Sequence, residues 1–114
     1  MYCLYIMCIS DLKSFQDIKK HHLPAIILFY SPRCPYCVEF HPEYIKMSHN
    51  NHGIPFISFN LQFLKQDENE RLDIQGIPDI RFINKNGQMK KFKGDRKSEN
   101  ELMKQFQEFT KIQY

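Results

Sequence analysis

An apolar run, Ala25-Ile26-Ile27-Leu28-Phe29-Tyr30, stands three residues ahead of the pair Cys34-Pro35-Tyr36-Cys37. Such a run fits a strand covered on both faces of a sheet. Val38-Glu39-Phe40 opens a helix-compatible stretch directly after the pair. A buried strand, a short turn and a helix therefore meet at two cysteines. Two cysteines at this spacing either close a small disulfide ring or hold a metal. At a strand-to-helix junction they read as a redox dithiol.

The 114 residues support one domain with one core. Apolar residues make up 42% and charged residues 25%, the balance of a soluble globular chain. Phe is abundant at 10 and Trp is absent, so the aromatic core is phenylalanine-led. A formal charge of +3 is too small to imply a nucleic-acid partner. No apolar run approaches the roughly 20 residues of a membrane span. Residues 1–9 are apolar but lack a basic leader and a small-residue cleavage site, so we read a first strand there. A cytoplasmic, reducing location is the default expectation, and structural disulfides are not expected in it. Cys3 and Cys8, five positions apart on one strand, would lie about 16 Å apart. A disulfide needs Cα atoms within about 7 Å, so both are read as small apolar side chains.

Further along, Ser10-Asp11 precedes Leu12, Phe15 and Ile18, a helical spacing. A helix is expected from near Cys34 to about Ser48, kinked by Pro42. Residues 54–61 read as a third strand, and residues 67–75 as a short helix that ends at Gly76. Ile80-Arg81-Phe82-Ile83 follows Pro78 as a fourth strand, and Asn86-Gly87 signals a hairpin. Residues 89–93 form a fifth strand. Ser98-x-x-Glu101 is a capping box for a last helix with the stripe Leu102, Met103, Phe106, Phe109 and Ile112. The order βαβαβαββα implies parallel strands with helices on both faces and an antiparallel edge from the hairpin.

These residues resemble a known family. Phe29-Tyr30-Ser31-Pro32-Arg33-Cys34-Pro35-Tyr36-Cys37, followed by Phe40-His41-Pro42-Glu43-Tyr44, is similar to the active-site segment of thioredoxin-fold proteins. The wording is closest to protein disulfide isomerase catalytic domains. Gly76-Ile77-Pro78 resembles the family's cis-proline loop, and Asn86-Gly87 and Lys93-Gly94 resemble its turn and the end of its last strand. The resemblance covers about residues 20–112. It implies an α/β thioredoxin fold, a single thioredoxin-like domain over residues 1–114, with a mixed sheet of about five strands.

The activity implied is thiol–disulfide exchange on protein disulfides. Cys34, at a helix start, would be the attacking thiolate, helped by unpaired amides, the helix dipole and Arg33. Its pKa is expected in the roughly 3.5–7.5 window of such sites. Cys37, one turn on, would resolve the mixed disulfide. Pro35 and Tyr36 would tune the potential. Pro-Tyr is the glutaredoxin pair, and glutaredoxins sit near −200 to −230 mV against about −270 mV for thioredoxin. The resemblance therefore implies a somewhat more oxidising dithiol. It also implies a cis Ile77–Pro78 bond whose Ile77 backbone pairs with an extended substrate segment. Arg96, after Gly94, resembles an arginine that stabilises the second thiolate; a solvated arginine paired with Asp95 or Glu99 is the alternative. No cofactor is expected beyond the redox-active disulfide Cys34–Cys37. The expected partners are substrate proteins bearing thiols or disulfides and a thiol reductant or oxidant. The chain is expected to act as a monomer, without membrane or nucleic acid.

Three positions depart from that pattern. Leu28 stands where the family often has a buried acid, and residues 49–64 hold no lysine to pair with one. Arg33 replaces the usual Trp. Deprotonation of Cys37 then needs water, the Cys34 environment or another group.

Other readings remain open on sequence alone. A glutathione-dependent, glutaredoxin-like reductase has the Pro-Tyr pair in its favour, but Ser31 replaces its lysine and its Gly-Gly turn is missing. Cys34, Cys37, His49 and His52 approach a zinc-finger spacing. Arg81, Lys85, Lys90, Lys91, Lys93, Arg96 and Lys97 form a basic region that suits an acidic partner in a non-enzymatic binding module.

Overall fold

A computed structural model describes residues 6–21 and 23–111. Strand β1 (Met7–Ile9) leads to α1 (Leu12–His21), whose first turn is held by Asp11: the Ser14 N–H donates to Asp11 Oδ1 at 2.7 Å. Next come β2 (Ala25–Tyr30), α2 (Pro35–Asn50), β3 (Phe56–Asn60) and α3 (Gln66–Leu72). Strands β4 (Asp79–Ile83) and β5 (Met89–Lys91) and helix α4 (Glu99–Lys111) complete the order βαβαβαββα. The five strands form one sheet in the order β1-β3-β2-β4-β5.

Strand β3 runs parallel to both β1 and β2, as the βα alternation requires. Strand β4 is antiparallel to β2, so two strand pairs, and not only the hairpin, are antiparallel. The reason lies in the β3–β4 connection, which leaves and re-enters at the same end of the sheet. With Phe29 opposite Asp79, β4 starts beside the end of β2. The residues just before Asp79 are thereby delivered to the turn that carries the cysteines.

All six residues of β2 are buried, because helices cover both faces. On one face Leu28, Tyr30, Ile80 and Phe82 pack with Phe40, Tyr44 and Met47 of α2 and Leu102 and Phe106 of α4. On the other, Ile27, Phe29, Phe59 and Ile83 pack with Phe15 and Ile18 of α1 and Leu72 of α3. Each such side chain contributes roughly 1.5–3 kcal/mol on full burial.

The ends of the elements differ from expectation in specific ways. The described part of the first strand is Met7–Ile9, with Ile6 in a bend before it, and residues 1–5 lie outside the described residues, as does Ile112 of the α4 stripe. Helix α2 runs on through Pro42 to Asn50. Helix α3 stops at Leu72 because Asp73 adopts a left-handed conformation (φ 53), so Gly76 is not its exit. The last strand ends at Lys91, though the Phe92 N–H still reaches Ile80 O at 2.8 Å. At α4, Ser98 Oγ accepts from the Glu101 N–H at 3.3 Å, while the Glu101 carboxylate accepts from Gln105 instead of closing the capping box. The Asn86-Gly87 turn is as read, with Gly87 at φ +82.

Tyr44 ties α2 to the sheet. Its buried hydroxyl contacts Ile26 O at 3.1 Å and Ile57 O at 2.8 Å, one carbonyl on each of two neighbouring strands. Tyr44→Phe should therefore lower stability by about 1–2 kcal/mol, at the upper end for one buried hydroxyl. Denaturant unfolding of the two proteins checks this, and equal midpoints would mean that the tie is idle.

Candidate active site

The backbone turns from β2 into α2 at Cys34, the N-cap residue, with extended φ and ψ of −89° and 115°. Its Sγ accepts the Cys37 N–H at 3.3 Å, so the sulfur does what a capping oxygen does elsewhere. Pro35 follows in the first helical turn, where a missing N–H costs nothing. The Arg33 N–H is held by Ser31 Oγ at 3.2 Å. The side chains of Arg33 and Tyr36 are exposed, and Tyr36 and Val38 form an apolar rim beside the cysteines.

Cys34 and Cys37 are both free thiols, but their surroundings differ. Cys34 is half-buried and opens to the surface; Cys37 is 0% exposed beneath it. Burial pushes the Cys37 thiol up to about 12, reinforced by its hydrogen bond with Cys34 and opposed by the charge of Arg96. Of the residues weighed as its partners, Asp95 accepts from the Lys97 N–H, and Glu99 accepts from Asn50 and Asn51.

The loop before β4 closes the site. The Ile77–Pro78 bond is cis, and so is Leu23–Pro24, which sequence reasoning did not anticipate. Ile77 O lies 3.8 Å from Cys34 Sγ, a weak S–H···O contact that joins the two segments. Behind Cys37, Leu28 faces Ser58 across the β2–β3 ladder, and both are fully buried. That pair carries no ionisable group.

Sequence reasoning gave His41 no role, yet it is a buried side chain of this region. It lies on α2 four residues after Cys37, 4% exposed, with its ring centroid 5.8 Å from that of Tyr30. The spacing Cys37-x-x-x-His41 is the signal that marks it.

Other sequence features move away from the dithiol. His49 is twelve residues along α2 from Cys37, about 18 Å on a helix, so the zinc-like spacing does not converge. Among the described residues no group of three or more His, Cys, Asp or Glu side chains is arranged to hold a metal ion. The basic region is dispersed. Arg81 turns inward, pairs with buried Asp79 at 3.2 Å and caps α3 through Leu72 O and Asp73 O. Lys91 also reaches Asp79 at 3.9 Å, and Lys97 pairs with Glu39 at 3.1 Å. Cys8 is disulfide-bonded, which overturns its reading as a small apolar side chain. The distance argument against a disulfide assumed one extended strand from residue 2 through Ile9, but Ile6 is a bend outside the strand Met7–Ile9. Cys3 lies outside the described residues.

The buried thiol makes stability depend on pH with a definite sign. An unfolded cysteine ionises near 8.5, whereas folded Cys37 holds its proton up to about 12. The folded state thus binds more protons in between, and stability, intact below about pH 8.5, falls as pH rises towards 12. Cys37→Ala should flatten that alkaline decline in the reduced protein, measured by unfolding at pH 8 and pH 10. An unchanged slope would show that Cys37 ionises normally.

The thioredoxin family model matches residues 6–108. A mitochondrial thioredoxin domain-containing protein of Schizosaccharomyces pombe is 29% identical over 76 residues, covering 62% of this chain and 20% of the relative. A protein disulfide-isomerase of Medicago sativa is 28% identical over 96 residues, covering 78% of this chain and 19% of the relative. The chain thus spans about a fifth of the length of these curated relatives. Among solved structures, the first thioredoxin domain of mouse protein disulfide-isomerase A4 superposes with a TM-score of 0.75 at 20% identity, covering 96% of this chain and 79% of that one. Mitochondrial thioredoxin 3 of Saccharomyces cerevisiae gives 0.73 at 20% identity, covering 92% and 96%. The fold, the order of its strands and the match over residues 6–108 agree, and the chain belongs to the thioredoxin family.

Proposed function

We propose that this chain is a thiol–disulfide oxidoreductase acting on protein disulfides. The observation that carries the reading is the asymmetry of the dithiol. One free thiol is accessible at a helix N-terminus against the cis-proline loop, and the other is sealed one turn behind it. Family membership supports the same reading.

In the reductive direction, the Cys34 thiolate attacks one sulfur of a substrate disulfide. The substrate S–S bond breaks, its other sulfur leaves as a thiolate, and a Cys34–substrate mixed disulfide forms. Cys37 then attacks Cys34 Sγ, closing the Cys34–Cys37 bond and releasing the second substrate thiolate. The substrate gains two electrons and the dithiol loses two. The reverse sequence oxidises a substrate dithiol. Side chains carry the redox couple throughout, so the scheme calls for no cofactor.

Cys34 caps the N-terminus of α2, with Arg33 next to it. Arg96 eases ionisation of Cys37. The Ile77 backbone, ahead of cis Pro78, offers strand-like pairing to an extended segment around the substrate cysteine. Exposed Tyr36 and Val38 supply apolar contact on the rim. Pro35 and Tyr36 set the potential between the two thiols.

Reduction of a protein disulfide driven by dithiothreitol tests the reading. Cys34→Ser should abolish turnover. Cys37→Ala should stall as a Cys34–substrate adduct, visible by non-reducing electrophoresis and mass spectrometry. Full turnover by Cys34→Ser, or an adduct on Cys37 in the wild type, would overturn the assignment.

A further inference from the structure

Two buried side-chain polar atoms among the described residues have no hydrogen-bond partner: His41 Nε2 and Ser58 Oγ. Buried polar groups are nearly always paired, so an orphan imidazole nitrogen in a fully packed core asks for a purpose. Both atoms lie on the same side of the sheet. Ser58 is registered with Leu28, and paired residues share a face, here the face that α2 covers. Cys37 sits in the same packed cluster.

His41 follows Cys37 by one helical turn. Side chains at this spacing have Cβ atoms about 5–6 Å apart. Helical side chains also lean towards the N-terminus, which lays the imidazole over the turn that carries Cys37. Tyr30 lies beside His41, with ring centroids 5.8 Å apart and planes tilted by 45°, and it packs in the same cluster as Cys37. No carboxylate or lysine stands at Leu28 or Ser58 behind the thiol.

We propose that the buried imidazole of His41 is the proton acceptor for Cys37 during resolution of the mixed disulfide. This rests on the reading of Cys37 as the resolving thiol. A neutral imidazole has one nitrogen free to take a proton. Burial holds His41 below its ordinary value, so the ring is neutral at physiological pH. The other groups that bear on this pocket are Tyr30 from β2, Cys34 on α2 and Arg96 ahead of α4. A phenol and a guanidinium take up no proton at neutral pH, and in the mixed disulfide the Cys34 sulfur is bonded to the substrate.

The step balances as follows. The Cys37 S–H proton passes to the imidazole, and the Cys37 thiolate attacks Cys34 Sγ. The Cys34–Cys37 bond forms while the Cys34–substrate bond breaks. The bonding pair leaves on the substrate sulfur, which then takes up the proton from the imidazolium.

Stopped-flow reaction with 5,5′-dithiobis(2-nitrobenzoate) separates the steps. The first thionitrobenzoate released reports attack by Cys34, and the second reports resolution by Cys37. Cys37→Ala must lose the second release. If that release persists, the reading of Cys37 fails, whatever His41 does. His41→Gln keeps an amide of similar length but accepts no proton. Its second release should slow on the order of 10²-fold, the lower end for general base catalysis. Its rate should also climb with hydroxide over pH 5–9, where the wild-type rate levels off once His41 is neutral. A second release with the wild-type rate and pH profile would overturn the proposal. His41→Ala provides the check if the Gln variant does not fold. Added imidazole should restore its second release without altering the first, and a folded His41→Ala protein that imidazole leaves unchanged overturns the proposal equally.

Discussion

The burial of β2 on both faces is the constraint on which the rest of this structure depends. Six consecutive apolar residues can be hidden only if a layer of helix lies above and another below. That requirement fixes α2 on one side and α1 on the other. It also fixes the direction in which α2 starts, because the chain must turn back over the sheet within a few residues of Tyr30. The N-terminus of α2 is therefore at the end of the central strand, and Cys34 is its cap. The antiparallel entry of β4 at that same end brings Ile77 and cis Pro78 to the sulfur. The dithiol is a consequence of sheet topology as much as of two cysteine codons.

From this frame the two thiols acquire opposite characters. A helix cap looks outward, because its function is to gather amide hydrogens at the surface end of a helix. A residue one turn in looks down at the sheet. Cys37 is sealed beneath Cys34 among Leu28, Tyr30 and Phe40, and its proton is correspondingly hard to remove. The arrangement protects the second thiol from adventitious reagents and leaves the first as the point of contact. It also creates a difficulty, since a thiol that ionises only near 12 has to be deprotonated within its own pocket if resolution is to be fast at neutral pH.

Most of the fold is legible in the sequence because its signals are local and strong. The run at residues 25–30, the Asp11 cap, the Asn86-Gly87 turn and the α4 stripe each declare themselves within one element. The misreadings have a common physical source in contacts between elements. Helix α3 stops at Leu72 rather than near Gly76, with Asp73 left-handed and Arg81, nine residues beyond Leu72, donating from β4 to Leu72 O and Asp73 O. Arg81 looked like one of several surface cations. It is instead anchored to buried Asp79 and lies over the Phe29 ring, which no pattern in residues 79–83 announces. The direction of β4 and the disulfide of Cys8 likewise depend on chain placement that periodicity does not encode. At the site, Cys34, Cys37 and Pro78 are visible as motif residues. His41 is not, because nothing in the residues around a histidine before a helix proline shows that the fold will bury it against Tyr30.

That burial bears on how the family's chemistry is supported in this chain. The core behind Cys37 has been made apolar at Leu28 and nearly so at Ser58, which strengthens packing but removes ionisable groups from the β2–β3 ladder. His41 on the facing helix stands one turn from the thiol, and its neutral form is the one that burial favours. A neutral base carries a smaller desolvation penalty than a buried carboxylate, since it is uncharged in the resting state. Charge appears on it only while the Cys37 thiolate is also present, so the two form a transient ion pair in a medium that shields them little. Placing the base on α2 rather than on the sheet also couples it to the same rigid element that carries both sulfurs. A shift of the helix during exchange would move thiol and base together.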